Sequence, residues 1–84
     1  MNYSLFILPS AEKDLDHLEK GLYQRCHRSI LKLAGNPRPP GSQKLTGEEG
    51  YRIRVGDWRI LYRIDDHERK VFIYRIKHRK DVYH

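Results

Sequence analysis

Residues 51–64 alternate between apolar positions and cationic or polar positions with a period of two. Such alternation is typical of a β-strand with one buried face and one exposed face. It is interrupted once, by the pair Gly56 and Asp57, and a glycine-containing pair between two alternating runs predicts a tight β-hairpin. Counting outward from this two-residue loop places Arg54 directly opposite Arg59.

The predicted register gives the two faces of the hairpin different characters. The remaining pairs are Val55 with Trp58, Ile53 with Ile60, Arg52 with Leu61, and Tyr51 with Tyr62. One face is apolar and aromatic and is predicted to join the core: Tyr51, Ile53, Val55, Trp58, Ile60 and Tyr62. The other carries Arg52, Arg54 and Arg59. Because like charges opposite each other destabilise a sheet, this face predicts an anionic ligand.

Before the hairpin the chain has a short apolar run and then helical periodicity. Residues 3–8 predict a strand that ends at Pro9, and Ser10 predicts the N-cap of a helix that runs to about Lys20. A second helix is predicted from about Leu22 to Ala34. Its apolar positions form one stripe: Leu22, Cys26, Ile30, Leu33 and Ala34.

The remaining segments complete a single predicted domain, residues 1–84. Residues 35–41 are a Pro-rich connector, residues 43–45 predict a short edge strand, and residues 71–76, apolar on both faces, predict a central strand. The order β-α-α-β-β-β predicts an α+β fold: an antiparallel β-sheet with an N-terminal helical hairpin packed on one face. The other face is left for a ligand.

Charge and cysteine content narrow the class of partner. The net charge is +6, and residues 51–84 hold ten Lys/Arg against five Asp/Glu, which leaves +5 in that segment. A basic segment predicts a polyanion or an acidic protein as partner, with a merely well-solvated surface as the alternative. The lone Cys26 excludes an internal disulfide. With no visible signal peptide and no run of transmembrane length, this favours a cytoplasmic location.

Three segments together resemble a known family. They are the Leu45-x-Gly47 turn, the run of residues 51–62, and the tail of residues 78–83, His-Arg-Lys-Asp-Val-Tyr. With the Pro-rich connector, they resemble the RelE family of bacterial and archaeal toxins, within the RelE/ParE superfamily. The resemblance extends over essentially the whole chain.

The resemblance implies the toxin of a type II toxin–antitoxin system. Such a toxin is a ribosome-dependent endoribonuclease, an mRNA interferase, that enters the ribosomal A site and cuts the exposed codon without a metal or cofactor. The implied partners are a RelB-like antitoxin, which holds the toxin inactive, and the 70S ribosome with its mRNA. Operator DNA is implied as a partner only through the antitoxin complex.

The resemblance also assigns site residues. The family's basic pair on the first hairpin strand falls on Arg52 and Arg54, although family members often carry lysines there. The next strand's arginine falls on Arg59, and the tail's arginine and tyrosine fall on Arg79 and Tyr83. The expected catalytic residues are thus Arg54, Arg59, Arg79 and Tyr83, and the expected RNA-binding residues are Arg52, Lys77, His78 and Lys80.

RNA cleavage by the 2′-OH needs a base, stabilisation of charge on the phosphorane, and a proton for the departing oxygen. Arginines supply the second need through charge-assisted, bidentate contacts. An arginine is effectively never deprotonated, so it is a poor general base. The candidate bases are His78 and Tyr83, followed by Glu48 and Glu49. The histidines show no metal-ligand spacing with cysteine or acidic residues.

Two other functions stay open on sequence grounds. One is a toxin of the same fold that poisons DNA gyrase, as ParE-type relatives do. The other is a non-catalytic basic module that binds RNA or an antitoxin. The tail with Arg79 and Tyr83 and the paired Arg54 and Arg59 favour the ribonuclease, whereas the lack of an obvious general base leaves the binding module open.

Overall fold

Five strands and three helices form the part of the chain described by the computed structural model, residues 2–82. Tyr83, expected to be catalytic, lies outside the described residues. In chain order the elements are β1 (Ser4–Ile7), α1 (Pro9–Asp16), α2 (Lys20–Lys32), β2 (Gln43–Lys44), β3 (Tyr51–Val55), β4 (Trp58–Asp65), β5 (Lys70–His78) and α3 (Arg79–Val82). The α+β class is confirmed.

The strands form one sheet in the order β1-β5-β4-β3-β2. The β3–β4 hairpin has the predicted register in every pair, including Arg54 opposite Arg59. β5 has neighbours on both sides, as its apolar faces predicted. The sheet differs from the expectation in one pair, because β1 runs parallel to β5. No hairpin joins these two strands, so nothing in their connection imposes the antiparallel direction.

The helices begin earlier than the sequence predicted. Pro9 occupies the first turn of α1, and the N-cap position belongs to Leu8, which makes no side-chain cap. Proline suits this position because its missing N–H would have no helical partner. Ser10 is therefore inside the helix, and its hydroxyl donates to the carbonyl of Tyr74 at 2.6 Å. Glu19 caps α2 by accepting from the Leu22 N–H at 2.7 Å.

Both helices cover the same face of the sheet, α1 against β5 and α2 against β3. The core between helices and sheet is apolar: Ala11, Leu15, Cys26, Ile30, Leu33, Ile53, Val55, Ile60, Tyr62, Val71, Ile73 and Ile76. Burial raises the pKa of the Cys26 thiol, which keeps it protonated and unreactive. The opposite face of the sheet, called the open face below, carries the arginines of the hairpin.

A polar network fastens the Pro-rich connector to the sheet. The Arg38 guanidinium binds Asp66 through two nitrogens, at 3.1 and 2.9 Å, and its Nε donates to the Tyr51 hydroxyl at 3.1 Å. The Tyr3 hydroxyl donates to the same carboxylate at 2.7 Å. Hydrogen bonds from Arg38 first, and then from Tyr3, lower the pKa of Asp66 to about 2.

Replacement of Asp66 by asparagine is expected to remove a pH-dependent part of the stability. A carboxyl group with a lowered pKa stabilises the fold above its unfolded pKa, about 3.9. That contribution is lost as the pH falls toward about 2. The difference in Tm between wild type and Asp66→Asn, followed by circular dichroism, should therefore vanish over this range.

The matched control for this titration is Glu68→Gln. Glu68 is a neighbouring exposed carboxylate, 3.9 Å from Lys70 Nζ, and surface ion pairs of this kind contribute little. Glu68→Gln should keep the acid loss seen in wild type. An unchanged acid loss in Asp66→Asn would instead contradict the assignment to Asp66.

Candidate active site

The open face holds a cavity of about 370 Å³ between strands β3, β4 and β5, the turn after β2 and helix α3. We call this cavity the cleft. Its lining residues are Lys44, Leu45, Thr46, Glu48, Arg52, Leu61, Lys77, Asp81 and Val82. Three cationic and two acidic side chains thus surround an apolar floor at Leu61, and the cleft has a net positive lining.

The guanidinium of Arg52 lines the cleft and is held in a defined position by Gln43. Its Nε and Nη2 both donate to the side-chain oxygen of Gln43, at 3.1 and 2.6 Å. Gln43 and Arg52 are paired residues of β2 and β3, so backbone pairing sets this contact. A side chain held in this way loses little conformational freedom when an anion binds. The sequence assigned Arg52 to RNA binding, and the structure places it in the cleft.

Arg59 is buried, with only 4% of its surface exposed. Its Nη1 donates to the carbonyls of Gly56 and Trp58, at 3.1 and 2.9 Å. The guanidinium therefore stabilises the hairpin turn through these two hydrogen bonds, and its positive charge is fixed next to the turn. The alternation of the hairpin predicted the strand position of Arg59 but gave no sign that its side chain is covered.

Arg54 is exposed and lies at the outer edge of β3. It is opposite Arg59 in the register, yet it lines a different cavity, beside Arg25, Arg28 and Lys32 of α2. The register thus brings the backbones of the two arginines together, but neither side chain lines the cleft.

A bulge in β5 decides which tail residues face the cleft. Leu61 pairs with Arg75 but Tyr62 pairs with Ile73, so Tyr74 is an extra residue. A single inserted residue reverses the face of every side chain that follows it. Lys77 therefore lines the cleft, whereas His78 pairs with Trp58, the aromatic residue that packs against the core.

His78 is thus separated from the cleft. Its ring meets the Trp58 ring edge-on, with centroids 5.4 Å apart, and its Nδ1 accepts from the Lys80 N–H at 3.3 Å. Arg79 lies at the tip of the hairpin, where its N–H donates to the Asp57 carbonyl at 2.8 Å and its Nε is 3.8 Å from the Asp57 carboxylate. Lys80 is exposed on α3.

Tyr74 was not expected from the sequence, and Glu48 was expected to be a weaker candidate base than His78 and Tyr83. Burial raises the pKa of Tyr74, and the adjacent Glu48 adds to the shift through its charge and a hydrogen bond. The Arg63 guanidinium, 5.2 Å from the centre of the Tyr74 ring, acts in the opposite direction. Tyr74 is brought to this position by the bulge, which no alternation pattern reveals. Glu48 had one available signal, its position in the turn just before the arginine strand.

Neither a metal-binding cluster nor a membrane-spanning helix is found in residues 2–82. No three of their histidine, cysteine, aspartate and glutamate side chains are grouped so as to hold a metal ion. Within the same range, no helix has the length and apolar character needed to cross a membrane.

Comparison with known proteins identifies the family. The sequence model described as "ParE toxin of type II toxin-antitoxin system, parDE" matches residues 5–83. The chain belongs to this family of toxins. The toxin is also 31% identical over 83 residues to "Toxin RelE" of Mycobacterium tuberculosis. The aligned region covers 96% of this chain and 86% of that relative. The expected RelE/ParE resemblance is therefore confirmed.

Solved structures agree with this assignment. A chain of the toxin–antitoxin complex RelBE2 from Mycobacterium tuberculosis superposes with a TM-score of 0.83 at 27% identity, covering 93% of the toxin and 99% of that chain. A chain of the archaeal RelE–RelB complex from Pyrococcus horikoshii OT3 gives 0.80 at 28% identity, covering 94% and 97%. The protein is a toxin of a type II toxin–antitoxin system in the RelE/ParE superfamily.

Proposed function

We propose that this toxin is a ribosome-dependent endoribonuclease that cuts mRNA in the ribosomal A site and so inhibits translation. The observation that carries the proposal is the cleft on the open face, where Lys44, Arg52 and Lys77 present positive charge around one cavity. A cleft with a net positive lining attracts a polyanionic strand. The similarity to a protein named Toxin RelE supports the same activity.

In the proposed reaction the 2′-oxygen attacks the adjacent phosphorus, the O2′–P bond forms, and the P–O5′ bond breaks. Negative charge develops on the phosphorane oxygens, and prearranged arginines stabilise it most in the transition state. Arg52 is in position to do so directly. Arg54 and Arg59, which the sequence favoured, are proposed to add charge from the outer edge of β3 and from behind the turn.

The tail supplies the remaining proposed contacts. Arg79 is proposed to donate a hydrogen bond to the departing oxygen and Tyr83 to stack on a nucleobase, as aromatic side chains do with unpaired RNA. Lys77, His78 and Lys80 are the proposed RNA-binding residues of this segment, and the structure favours Lys77 because it lines the cleft.

The open shape of the cleft is the reason we propose that the toxin needs the ribosome to cut mRNA. Its walls come from one sheet face, a turn and a four-residue helix, so they do not enclose an RNA strand. A reacting phosphate requires near-attack geometry, and in our proposal the ribosome imposes it. The toxin is therefore expected to work in the cytoplasm. A RelB-like antitoxin is the proposed inhibitor, since similar chains were solved as antitoxin complexes, and operator DNA is contacted only through that complex.

Induced expression of the toxin is expected to stop growth and translation. Mapping of mRNA 5′ ends should then show new ends inside codons, and purified toxin should cut the same mRNA in vitro only when ribosomes are present. Co-expression of the cognate antitoxin should prevent both effects. Intact mRNA on toxin-loaded ribosomes would contradict the proposal.

The family match favours one second candidate, the poisoning of DNA gyrase, because the matching description is that of a ParE toxin. The same induced cells distinguish the two functions. Gyrase poisoning would produce broken DNA while mRNA stays whole, whereas the proposed ribonuclease leaves DNA intact.

A further inference from the structure

The proposed reaction needs a group that takes the proton of the 2′-OH, and the cations of the cleft are unsuited to this task. Arginine stays protonated in proteins, and lysine is protonated at neutral pH in water. His78 has the side-chain type best suited to the role. Its ring, however, lies on the helix-covered face against Trp58.

Glu48 is a carboxylate that lines the cleft together with Arg52 and Lys77. The turn that carries it is fixed against the sheet at Gly50, which is buried and has φ +128°. A Cβ at this glycine would lie 2.9 Å from the Tyr62 carbonyl, so only glycine allows the turn to approach this closely. Glu48 therefore lies in a turn that is anchored to the sheet two residues later, at Gly50.

We infer that Glu48 is the catalytic base, an inference that rests on the proposed ribonuclease function. The Glu48 carboxylate accepts the 2′-OH proton as the O2′–P bond forms. When the P–O5′ bond breaks, the Lys77 ammonium gives a proton to the departing oxygen. The products are a 2′,3′-cyclic phosphate and a 5′-OH end, and solvent exchange restores both side chains.

Glu48 faces charged groups from each element around the cleft. The cations are Lys44 of β2, Arg52 of β3 and Lys77 of β5. The other two groups are the carboxylate of Asp81 in α3 and the phenol of Tyr74 in the bulge of β5. Asp81 is the other carboxylate of the cleft.

The chain offers a close control in the next residue. Glu49 has the same side chain and is also exposed in the turn. It lines a different cavity of the open face, with Arg63 and Phe72. Glu48→Gln and Glu49→Gln therefore change the charge of the protein equally, while only the first removes a carboxylate from the cleft.

The test is single-turnover cleavage of mRNA on saturating ribosomes, at several pH values within the range in which ribosomes stay intact. Wild type and Glu49→Gln should cut at a rate that hardly changes with pH, because in both proteins the Glu48 side chain, and not hydroxide, takes the proton. Glu48→Gln should lose about 10²–10⁴ in rate, the usual contribution of a general base. Its remaining rate should rise in proportion to hydroxide, which then removes the proton. Glu48→Asp should recover part of the rate and the flat profile.

Equal thermal unfolding midpoints for the three glutamate variants and wild type confirm that all are folded. If Glu48→Gln cleaves mRNA as fast as wild type, the inference about Glu48 is wrong, but the proposed ribonuclease function is not affected. The same conclusion follows if Glu48→Gln loses much of its rate but that rate still does not change with pH. The same holds if Asp81→Asn, and not Glu48→Gln, acquires the hydroxide dependence. Wild-type protein that leaves ribosome-bound mRNA intact at every pH would overturn the proposed function, and this inference with it.

Discussion

Arg52→Ala is expected to lower the rate of ribosome-dependent mRNA cleavage by about 10²–10³, the usual cost of removing one prearranged donor to a developing negative charge. The physical reason is the pairing of Arg52 with Gln43, which fixes the guanidinium at the cleft before RNA arrives. The loss should appear in the single-turnover rate constant at saturating ribosomes, because the contact strengthens most in the transition state.

Two further variants separate position from charge. Arg52→Lys keeps the cation but loses the planar fork that reaches Gln43, so it should recover only a part of the rate. Arg28→Ala removes an equal charge from α2, outside the cleft, and should leave the single-turnover rate close to that of wild type. An equal loss in Arg28→Ala would show that net charge alone is responsible, which would contradict the role of Arg52.

The hairpin was predictable from the sequence because its loop is two residues long. Once Gly56 and Asp57 are placed in the turn, every pair of the hairpin follows by counting, and the structure has each of them. The core face followed from the same count. The exposure of the side chains did not follow, because alternation does not reveal that the Arg59 side chain is buried and donates to carbonyls of its own turn.

The tail was less predictable for a different reason. Without the bulge at Tyr74, alternation from Val71 would place His78 on the open face, where an RNA contact was predicted for it. The bulge inserts one residue, which turns Lys77 toward the cleft and His78 toward Trp58. A bulge is set by packing across strands and leaves no periodic signature. The prediction of His78 as a candidate base therefore depended on a strand register that the sequence does not reveal.

The parallel pairing of β1 has a related cause. Short loops join β3 to β4 and β4 to β5, so these neighbouring strands must run antiparallel. β1, in contrast, is connected to the other strands through helices α1 and α2, which do not impose a strand direction. α1 then continues along the same edge of β5, where Ser10 donates to the Tyr74 carbonyl and Asp14 accepts from the Ile76 N–H, each beyond the end of the β1 pairing. The helix thus satisfies part of the edge that the short strand leaves unpaired.

Tyr62→Ala is expected to have the largest effect on stability. Tyr62 is fully buried at the centre of the core, and truncation of a buried aromatic side chain to alanine typically costs about 3–5 kcal/mol. A domain of 84 residues has an unfolding free energy of about 4–13 kcal/mol in total, at 0.05–0.15 kcal/mol per residue. The variant should therefore lose from about a quarter to all of the unfolding free energy at 25 °C, as measured by urea denaturation.

Tyr62→Phe divides this effect into packing and hydrogen bonding. The Tyr62 hydroxyl donates to the buried Pro37 carbonyl at 2.7 Å, and removing the hydroxyl leaves that carbonyl unsatisfied at a cost of about 1–3 kcal/mol. Tyr23→Ala is the matched control, because Tyr23 is exposed on α2 and surface substitutions usually change stability by about 0.5 kcal/mol or less.

The two tyrosine variants also test whether the hairpin and the connector form one cooperative unit. Pro37 lies in the connector and Tyr62 in β4, so their hydrogen bond links the connector to the second strand of the hairpin, 25 residues later in the chain. If they unfold together, Tyr62→Phe should lower the urea midpoint without changing the slope m. A reduced slope would mean that the connector detaches before the sheet unfolds, and a free energy within 0.5 kcal/mol of wild type, taken as the usual surface value, would contradict the role of the hydrogen bond.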